Sequence, residues 1–185
     1  LTMLVRVFAL LVLFGCAGVG SNAFGQGSAI GGVLNRVEEL KQDHSASQSP
    51  VSTGPKDPLE RVAPGKIDKD APMKFSKTQS GLRYRVLRKS TKAKPQANSI
   101  VVANYKGWLD NKMVFDSSYR KGKALRFPLT QVIKGWTEGL QLIGEGGMIE
   151  LDIPYELGYG KDGTPGGPIP PKARLHFIVE LVAIE

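Results

Sequence analysis

Few side chains of this 185-residue chain are spaced for nucleophilic, metal or phosphate chemistry. Asp116 precedes Ser117 and Ser118, but no histidine lies near them in the sequence, so a hydrolytic triad is not supported. His44 and His176 are the only histidines, and they form no metal-binding constellation. The Gly-x-x-x-x-Gly-Lys pattern of a phosphate-binding loop is absent. Accordingly, no metal and no cofactor are predicted.

Trp136 lies in a stretch that predicts a short helix over Gln131–Ile143, with Thr130 as its N-cap. Apolar residues recur at the spacing of one helix face, at Val132, Trp136, Leu140 and Ile143. Gly135 and Gly139 each cost up to ~1 kcal/mol of helix stability relative to alanine, so neighbouring elements must hold the helix. Because the two glycines flank the tryptophan, they would let another group approach the indole closely. The alternative interpretation is a core helix with a core tryptophan.

Alternation of apolar and polar residues predicts the strands around this helix. Met148–Ile153 has apolar residues on one face and acidic residues on the other, and Leu175–Ile184 alternates in a similar way. The other predicted strands lie at Leu82–Leu87, Ile100–Leu109, Met113–Phe115 and Leu125–Leu129. Together these segments indicate an α+β domain in which about five antiparallel strands pack on one helix.

The segment Tyr155–Lys172 is too rich in glycine and proline to be regular structure. A loop of this length in a small domain is usually functional. Tyr155 and Tyr159 favour a loop that folds over something. A polyproline ligand for another module and a flexible insertion are the alternatives.

The net charge of +8 is concentrated in the first part of the chain. Residues 100–185 contain ten basic and ten acidic side chains, whereas Lys74–Lys94 contains eight basic side chains and no acidic one. A basic run can bind nucleic acid or an anionic membrane, but only Phe75 and Tyr84 could stack on bases here. We therefore interpret the run as a solvated, positive strand with its flanks, and no nucleic-acid partner is predicted.

The first 72 residues predict an export signal followed by a linker. Met3–Ala17 is almost wholly apolar, shorter than the about 20 residues of a transmembrane helix, and typical of a signal peptide. Ser21-Asn22-Ala23 supplies small residues for cleavage, so the predicted signal peptide is 1–23. Residues 24–72 are rich in Ser, Gln, Gly and Pro and predict a flexible, disordered linker, which leaves 73–185 as the folded domain. Cys16 follows a sequence that resembles a lipobox, so lipidation there is the alternative to cleavage after residue 23.

From Ser80 to the C terminus, an ordered set of motifs resembles the FKBP-type peptidyl-prolyl cis-trans isomerases. The motifs are Val102-Ala103-Asn104-Tyr105-Lys106-Gly107, Phe115-Asp116-Ser117-Ser118, Phe127-Pro128-Leu129, residues 132–140, Leu157-Gly158-Tyr159-Gly160, Ile169-Pro170-Pro171 and residues 175–181. Any one motif is weak, but the ordered set is highly specific. It covers the C-terminal three-fifths of the chain.

This resemblance implies a five-stranded antiparallel sheet curled around one short helix, with an aromatic pocket between them. It implies an isomerase that acts on X-Pro bonds of exported proteins and assists their folding. The residues that the resemblance places at the catalytic site are Tyr105, Phe115, Asp116, Trp136, Tyr159 and Phe177. Those that it places in substrate binding are Leu125, Val132, Ile133 and Ile169.

The implied partners are proline-containing polypeptides and macrolide inhibitors of the rapamycin and tacrolimus class. A periplasmic location is implied, with membrane contact only if Cys16 is lipidated. Leu125 stands where many members have an aromatic residue, and Thr164 where some have a histidine, which bears on substrate preference and macrolide affinity. Two other functions stay open: a pocket that binds Pro-containing segments without catalysis, and a basic front that binds an anionic surface.

Export is the first testable expectation. Protein recovered from the native host should begin at or near Phe24, or at a lipid-modified Cys16, because Met3–Ala17 has the length and apolarity of a signal peptide. Mass spectrometry of the mature N terminus measures this directly. Recovery of unprocessed protein in the cytosol would contradict the expectation.

Overall fold

The computed structural model describes residues 51–185. The predicted signal peptide 1–23, the lipobox cysteine Cys16 and the first part of the predicted linker, 24–50, lie outside the described residues. Within the described part of the chain, no helix is long and apolar enough to cross a membrane.

One antiparallel sheet of seven strands forms the framework of the domain. Its strands are β1 (Ser76–Lys77), β2 (Arg83–Arg88), β3 (Ile100–Leu109), β4 (Val114–Ser117), β5 (Leu125–Pro128), β6 (Met148–Ile153) and β7 (Leu175–Ile184). The order across the sheet is β1-β2-β6-β7-β3-β4. β5 pairs with the first residues of β3, and β4 pairs with the last ones, so these two short strands share one edge of β3.

A single α-helix, α1 (Lys134–Leu140), packs on the sheet, and short 3-10 turns lie at Tyr119–Lys121, Leu129–Gln131 and Tyr155–Leu157. This architecture confirms the predicted α+β class. The sheet has seven strands rather than about five, since each of the six predicted segments forms a strand and the two-residue β1 is added to them.

The predicted faces of β6 and β7 are also confirmed. Ile149 and Leu151 of β6, and Phe177 and Val179 of β7, belong to the large apolar cluster that contains the helix residue Trp136. The opposite face of the sheet is buried as well, because all six residues of β6 are buried. That second face, which we call the back face, must therefore be covered by another part of the chain.

The helix begins later than predicted, and Thr130 is not its N-cap. Thr130 lies within the 3-10 turn, and Ile133 takes the N-cap position without a side-chain hydrogen bond. Residues 131–133, which the predicted helix included, instead form the end of the 3-10 turn and two extended residues. Thr137 anchors the shortened helix instead, since its Oγ1 donates to the Leu129 carbonyl at 2.7 Å.

The two helix glycines face the sheet, which corrects the expectation that they expose the indole. A Cβ at Gly135 would lie 2.6 Å from Cγ2 of Ile153, and one at Gly139 would lie 2.7 Å from Cδ2 of Leu151. Real Cβ atoms do not approach other atoms that closely, so the glycines allow α1 to lie directly on β6. Their role is the packing of helix against sheet.

Residues 51–72, here called the strap, cover part of the back face without regular secondary structure. Val51 and Ala71 of the strap are buried in a second apolar cluster with Trp108. The other buried members of that cluster are Leu87, Met148 and Ile178. This part of the predicted linker is therefore packed rather than flexible, and the folded unit extends at least to Val51. The sequence pattern did not indicate this because the few apolar residues of the strap follow no period.

The basic run is largely exposed, as predicted, but most of its charges have acidic partners. Five of the eight basic side chains in Lys74–Lys94 pair with acidic ones: Arg83 with Asp152, Arg85 with Glu150, Arg88 with Glu180, Lys89 with Asp70, and Lys92 with Glu145. The acidic partners come from the strap, from β6 and β7 and from the turn before β6, so proximity in the fold places them beside the run. The pairs of Lys89 and Lys92 are exposed and contribute little to stability.

Gly139→Ala tests the close packing of the helix on the sheet. In an isolated helix this change would add up to ~1 kcal/mol of stability. Here the new methyl group would overlap the buried Leu151 side chain, so we expect a net loss of ~1–3 kcal/mol from overpacking. Urea denaturation measures the change in the free energy of unfolding. The control is Lys134→Ala, at an exposed helical position, which should change stability by less than ~0.5 kcal/mol. A Gly139→Ala protein more stable than the wild type would contradict the packing role of this glycine.

Candidate active site

Trp136 forms the centre of an aromatic cluster between the helix and the sheet. Its side chain is 1% exposed. The rings of Tyr105, Phe127 and Phe177 contact it edge-to-face, with centroids at 5.2, 5.6 and 5.4 Å. Each such pair contributes ~0.5–1.5 kcal/mol beyond burial of its area. Rings from β3, β5 and β7 therefore hold the indole in one position.

Phe115 extends the cluster towards solvent. Its ring meets the Phe177 ring edge-to-face at 5.5 Å, and its side chain is only partly buried. Gly107 lies directly beneath both rings, since a Cβ there would be 2.5 Å from Cε1 of Phe177 and 2.6 Å from Cζ of Phe115. A glycine at this position is required for the two rings to meet.

A β-bulge brings two consecutive side chains of β4 to the same side of the sheet. Gly107 pairs with Asp116 but Trp108 pairs with Val114, which leaves Phe115 as the extra residue. In a regular strand Phe115 and Asp116 would point to opposite faces. The bulge instead allows Phe115 to contact Phe177 while Asp116 contacts Tyr105.

Asp116 accepts a hydrogen bond from the Tyr105 hydroxyl, at 2.6 Å. Burial, followed by the nearby Asp116 charge and this hydrogen bond, raises the pKa of Tyr105 well above its usual value of 10. Burial and the same carboxylate also raise the pKa of Tyr159. Both tyrosines therefore keep their hydroxyl protons throughout the neutral range and act as donors.

The structure brings the residues predicted for the site into one region. Nine of the ten belong to a single apolar cluster: Tyr105, Phe115, Leu125, Val132, Ile133, Trp136, Tyr159, Ile169 and Phe177. Asp116, the tenth, joins them through its hydrogen bond to Tyr105. Tyr105, Trp136, Ile169 and Phe177 are buried, whereas the other five members of the cluster are only partly buried.

Known proteins resemble this chain in both sequence and fold. The family model of FKBP-type peptidyl-prolyl cis-trans isomerases matches residues 91–182. The crystal structure of AtFKBP13 has 36% sequence identity and a TM-score of 0.55, and the match covers 60% of this chain and 99% of that chain. The chain belongs to the FKBP-type peptidyl-prolyl cis-trans isomerase family. The resemblance of its motifs to this family is thereby confirmed.

Two bacterial relatives extend the comparison. A peptidyl-prolyl cis-trans isomerase structure from Pseudomonas syringae pv. tomato has 34% identity and a TM-score of 0.56, covering 60% of this chain and 80% of that chain. The FKBP-type peptidyl-prolyl cis-trans isomerase FkpA of Escherichia coli (strain K12) is 42% identical over 156 residues. That match covers 80% of this chain and 57% of the E. coli protein, so the chain spans little more than half the length of this relative.

The glycine- and proline-rich loop of this FKBP-type domain is folded back on the core. The Thr164 amide donates to the Ile169 carbonyl at 2.9 Å, and the Ile169 amide donates to Thr164 Oγ1 at 3.1 Å. Ile169 is buried in the apolar cluster, and Tyr159 packs against the same cluster. The sequence predicted a loop that folds over something, and the structure packs Tyr159 and Ile169 of this loop against the apolar cluster.

Phe127 was not among the predicted site residues, yet it contacts both Tyr105 and Trp136. Its signal in the sequence is the two-residue spacing from Leu125 in β5, which puts both side chains on one face. Phe127 is buried against Trp136, whereas Leu125 is partly exposed.

The indole N–H of Trp136 is the one buried side-chain polar atom without a hydrogen-bond partner among the described residues. Leaving such a donor unpaired costs ~1–3 kcal/mol, and aromatic faces around it compensate only in part. In the same part of the chain, no group of three or more His, Cys, Asp or Glu residues could hold a metal ion. The candidate site thus combines an apolar base with few polar groups.

Gly107→Ala tests the contact between the Phe115 and Phe177 rings. The added Cβ would overlap Phe115 and Phe177, so we expect the rings to separate and kcat/KM for a prolyl peptide to fall about tenfold or more. Stability should also fall, by ~1–3 kcal/mol. Val102→Ala, in the same strand but outside the apolar cluster, is the control and should leave kcat/KM unchanged. An unaltered kcat/KM in Gly107→Ala would show that activity does not depend on this close contact.

Proposed function

We propose that this chain catalyses cis–trans isomerisation of X-Pro bonds in protein substrates. The observation that carries the proposal is the buried Trp136 indole, which is enclosed by three rings, one of which, Tyr105, donates a hydrogen bond to the Asp116 carboxylate. An apolar base with one acceptor at its rim suits a proline ring and the peptide bond before it. Membership of the FKBP-type family supports the same reaction.

The reaction needs no nucleophile. Rotation about an amide costs ~18–20 kcal/mol because the C–N bond has partial double-bond character, and uncatalysed X-Pro bonds isomerise in tens to hundreds of seconds. In the twisted transition state this resonance is lost, so the carbonyl becomes less polar. A pocket that excludes water favours the twisted state over the planar amide.

Polar groups at the pocket rim would orient the bound chain. Asp116 would accept a hydrogen bond from substrate, and Tyr105 holds its carboxylate in place through the 2.6 Å contact. The Tyr159 hydroxyl and the Ile133 backbone N–H would donate to substrate carbonyls. The Ile133 N–H makes no hydrogen bond to any residue in the described part of the chain, which leaves it available to a ligand.

The natural substrates would be exported proteins that fold outside the cytoplasm. The apolar N-terminal segment supports export, with lipidation at Cys16 as the route to a membrane-anchored form. Folding assistance through prolyl isomerisation needs no ATP. Macrolides of the rapamycin and tacrolimus class would occupy the same pocket, and Leu125 in place of an aromatic wall residue would weaken their contact.

Asp116→Val tests the role of the rim carboxylate. The change keeps the side-chain size nearly constant and removes the acceptor. If Asp116 supports the bound chain, kcat/KM should fall about tenfold, which corresponds to ~1.5 kcal/mol for one hydrogen bond to a charged group. Asp116→Asn is the matched control, because it keeps an acceptor for the Tyr105 hydroxyl, and it should lose less than about threefold. A protease-coupled assay on an Ala-Leu-Pro-type peptide measures all three proteins.

The pH dependence of the same three proteins separates this mechanism from acid–base catalysis. Because the pKa values of Tyr105 and Tyr159 are raised above 10, neither hydroxyl titrates between about pH 5 and 9, a range that spans the histidine window. The wild-type kcat/KM should therefore be flat over that range. A general acid or base would cost ~10²–10⁴-fold when removed, so a bell-shaped profile that vanishes in Asp116→Val would overturn the role assigned here. Absence of isomerase activity with retained peptide binding would favour a binding module instead.

A further inference from the structure

We propose that Asp57 and Glu60 of the strap are positioning residues that hold β4 in the bulged conformation and thereby present Asp116 to the pocket. The inference rests on the proposed isomerase function, because Asp116 is the rim residue of that site. It assigns a catalytic consequence to a segment whose composition predicts only a linker. The contacts that carry it lie on the back face of the sheet, behind the pocket.

Glu60 binds Ser117, the residue that follows Asp116. The Ser117 hydroxyl donates to Glu60 Oε1 at 3.1 Å, and Lys106 Nζ lies 3.3 Å from the same oxygen. The Lys106 and Glu60 side chains are only 3% and 11% exposed, so their attraction is weakly screened by solvent. Lys106 and Ser117 are a cross-strand pair of β3 and β4. Glu60 therefore links β3 and β4 on the back face of the sheet. The Tyr105–Asp116 hydrogen bond joins the neighbouring residues of the same two strands on the opposite face.

Asp57 is linked through Arg120 to Val114, the residue that precedes Phe115. Arg120 Nε donates to Asp57 Oδ2 at 2.6 Å, and its Nη2 donates to the Val114 carbonyl at 3.1 Å. The Asp57 side chain is 3% exposed, which makes this charge-assisted contact stronger than a surface pair. One guanidinium group thus links the strap to the start of β4.

Two acidic strap residues consequently bracket the rim pair Phe115–Asp116. Val114 is held on one side of the pair and Ser117 on the other. A backbone contact adds to them, because the Arg61 amide donates to the Tyr119 carbonyl at 3.0 Å. These contacts involve the middle of the strap.

β4 needs such support from outside the sheet. It has four residues, pairs only with β3, and contains the bulge that places Phe115 and Asp116 together. A bulged edge strand has fewer ladder hydrogen bonds than a regular one. The apolar strap residues Val51 and Ala71 pack in the second cluster with Trp108, so the acidic contacts to β4 are a separate feature of the strap.

Ser117→Ala isolates the proposed link, because it removes the hydroxyl that binds Glu60 and leaves the Glu60–Lys106 ion pair intact. We expect kcat/KM to fall about three- to tenfold, the factor that corresponds to one ordinary hydrogen bond. Asp57→Asn is a second, nearly isosteric variant that weakens the link to Arg120 and should act in the same direction. The control is Asp68→Asn, at a strap residue whose carboxylate accepts a hydrogen bond from the Lys89 amide, just after β2. None of the hydrogen bonds of Asp68 to the described residues reaches β4, so this variant should leave kcat/KM at the wild-type value.

A double-mutant cycle distinguishes positioning from general destabilisation. If the strap acts through Asp116, Ser117→Ala should change kcat/KM by less than about twofold in the Asp116→Val background, since the coupled effect is already lost. Equal losses in the two backgrounds would overturn the proposal. So would wild-type kcat/KM in both Ser117→Ala and Asp57→Asn.

Hydrogen exchange gives a readout that does not depend on activity. Amides of residues 113–118 should exchange about threefold faster or more in Ser117→Ala and Asp57→Asn, and at the wild-type rate in Asp68→Asn. Wild-type protection of that segment in both test variants would refute the proposed support of β4. A wild-type protein without isomerase activity would instead contradict the proposed function, while the exchange measurement would still decide whether the strap holds β4.

Discussion

The close approach of the helix to β6 is the constraint on which the rest of the site depends. Gly135 and Gly139 bring α1 so near the sheet that their missing Cβ atoms would overlap Ile153 and Leu151. The short helix has no side-chain N-cap, so this packing supplies stability that seven residues do not have alone. It also sets the depth at which Trp136 lies, and the rings from three strands pack around the indole at that depth.

The two faces of the sheet differ in the charged side chains that they bury. The face that packs on α1 is covered by apolar side chains, with Trp136 and Phe177 among the largest of them. The back face combines the apolar cluster around Trp108 with charged side chains that pair with strap residues, as Lys106 does with Glu60. Such groups must keep their partners, because an unpaired buried charge costs far more than a pair contributes. Burial raises the pKa of Glu150 even though Arg85 opposes the shift.

Because side chains alternate along a strand, consecutive residues contact opposite faces of the sheet. Within β3, Tyr105 points to the pocket and Lys106 to the back face, and within β4, Asp116 and Ser117 do the same. A contact made behind the sheet is therefore one residue away from a contact at the pocket rim. This adjacency is why a segment outside the family motifs can influence a site that the motifs form. The pocket itself requires neither a titrating group nor a bound ion for the proposed reaction, because the barrier belongs to the amide resonance.

The sequence by itself determined the α+β class, the faces of β6 and β7, and the family, since two-residue alternation and an ordered set of motifs are local properties of the chain. Only the tertiary structure decided that Gly139 faces β6, that Phe127 supports Trp136, and that the strap is packed. Each of these depends on contacts between residues distant in sequence. The two-residue spacing in β5 puts Phe127 on the same face as Leu125, but it does not show that Trp136 is the partner on that face. The bulge at Phe115 belongs to the same class, because the register between two strands is set by their packing and not by either strand alone.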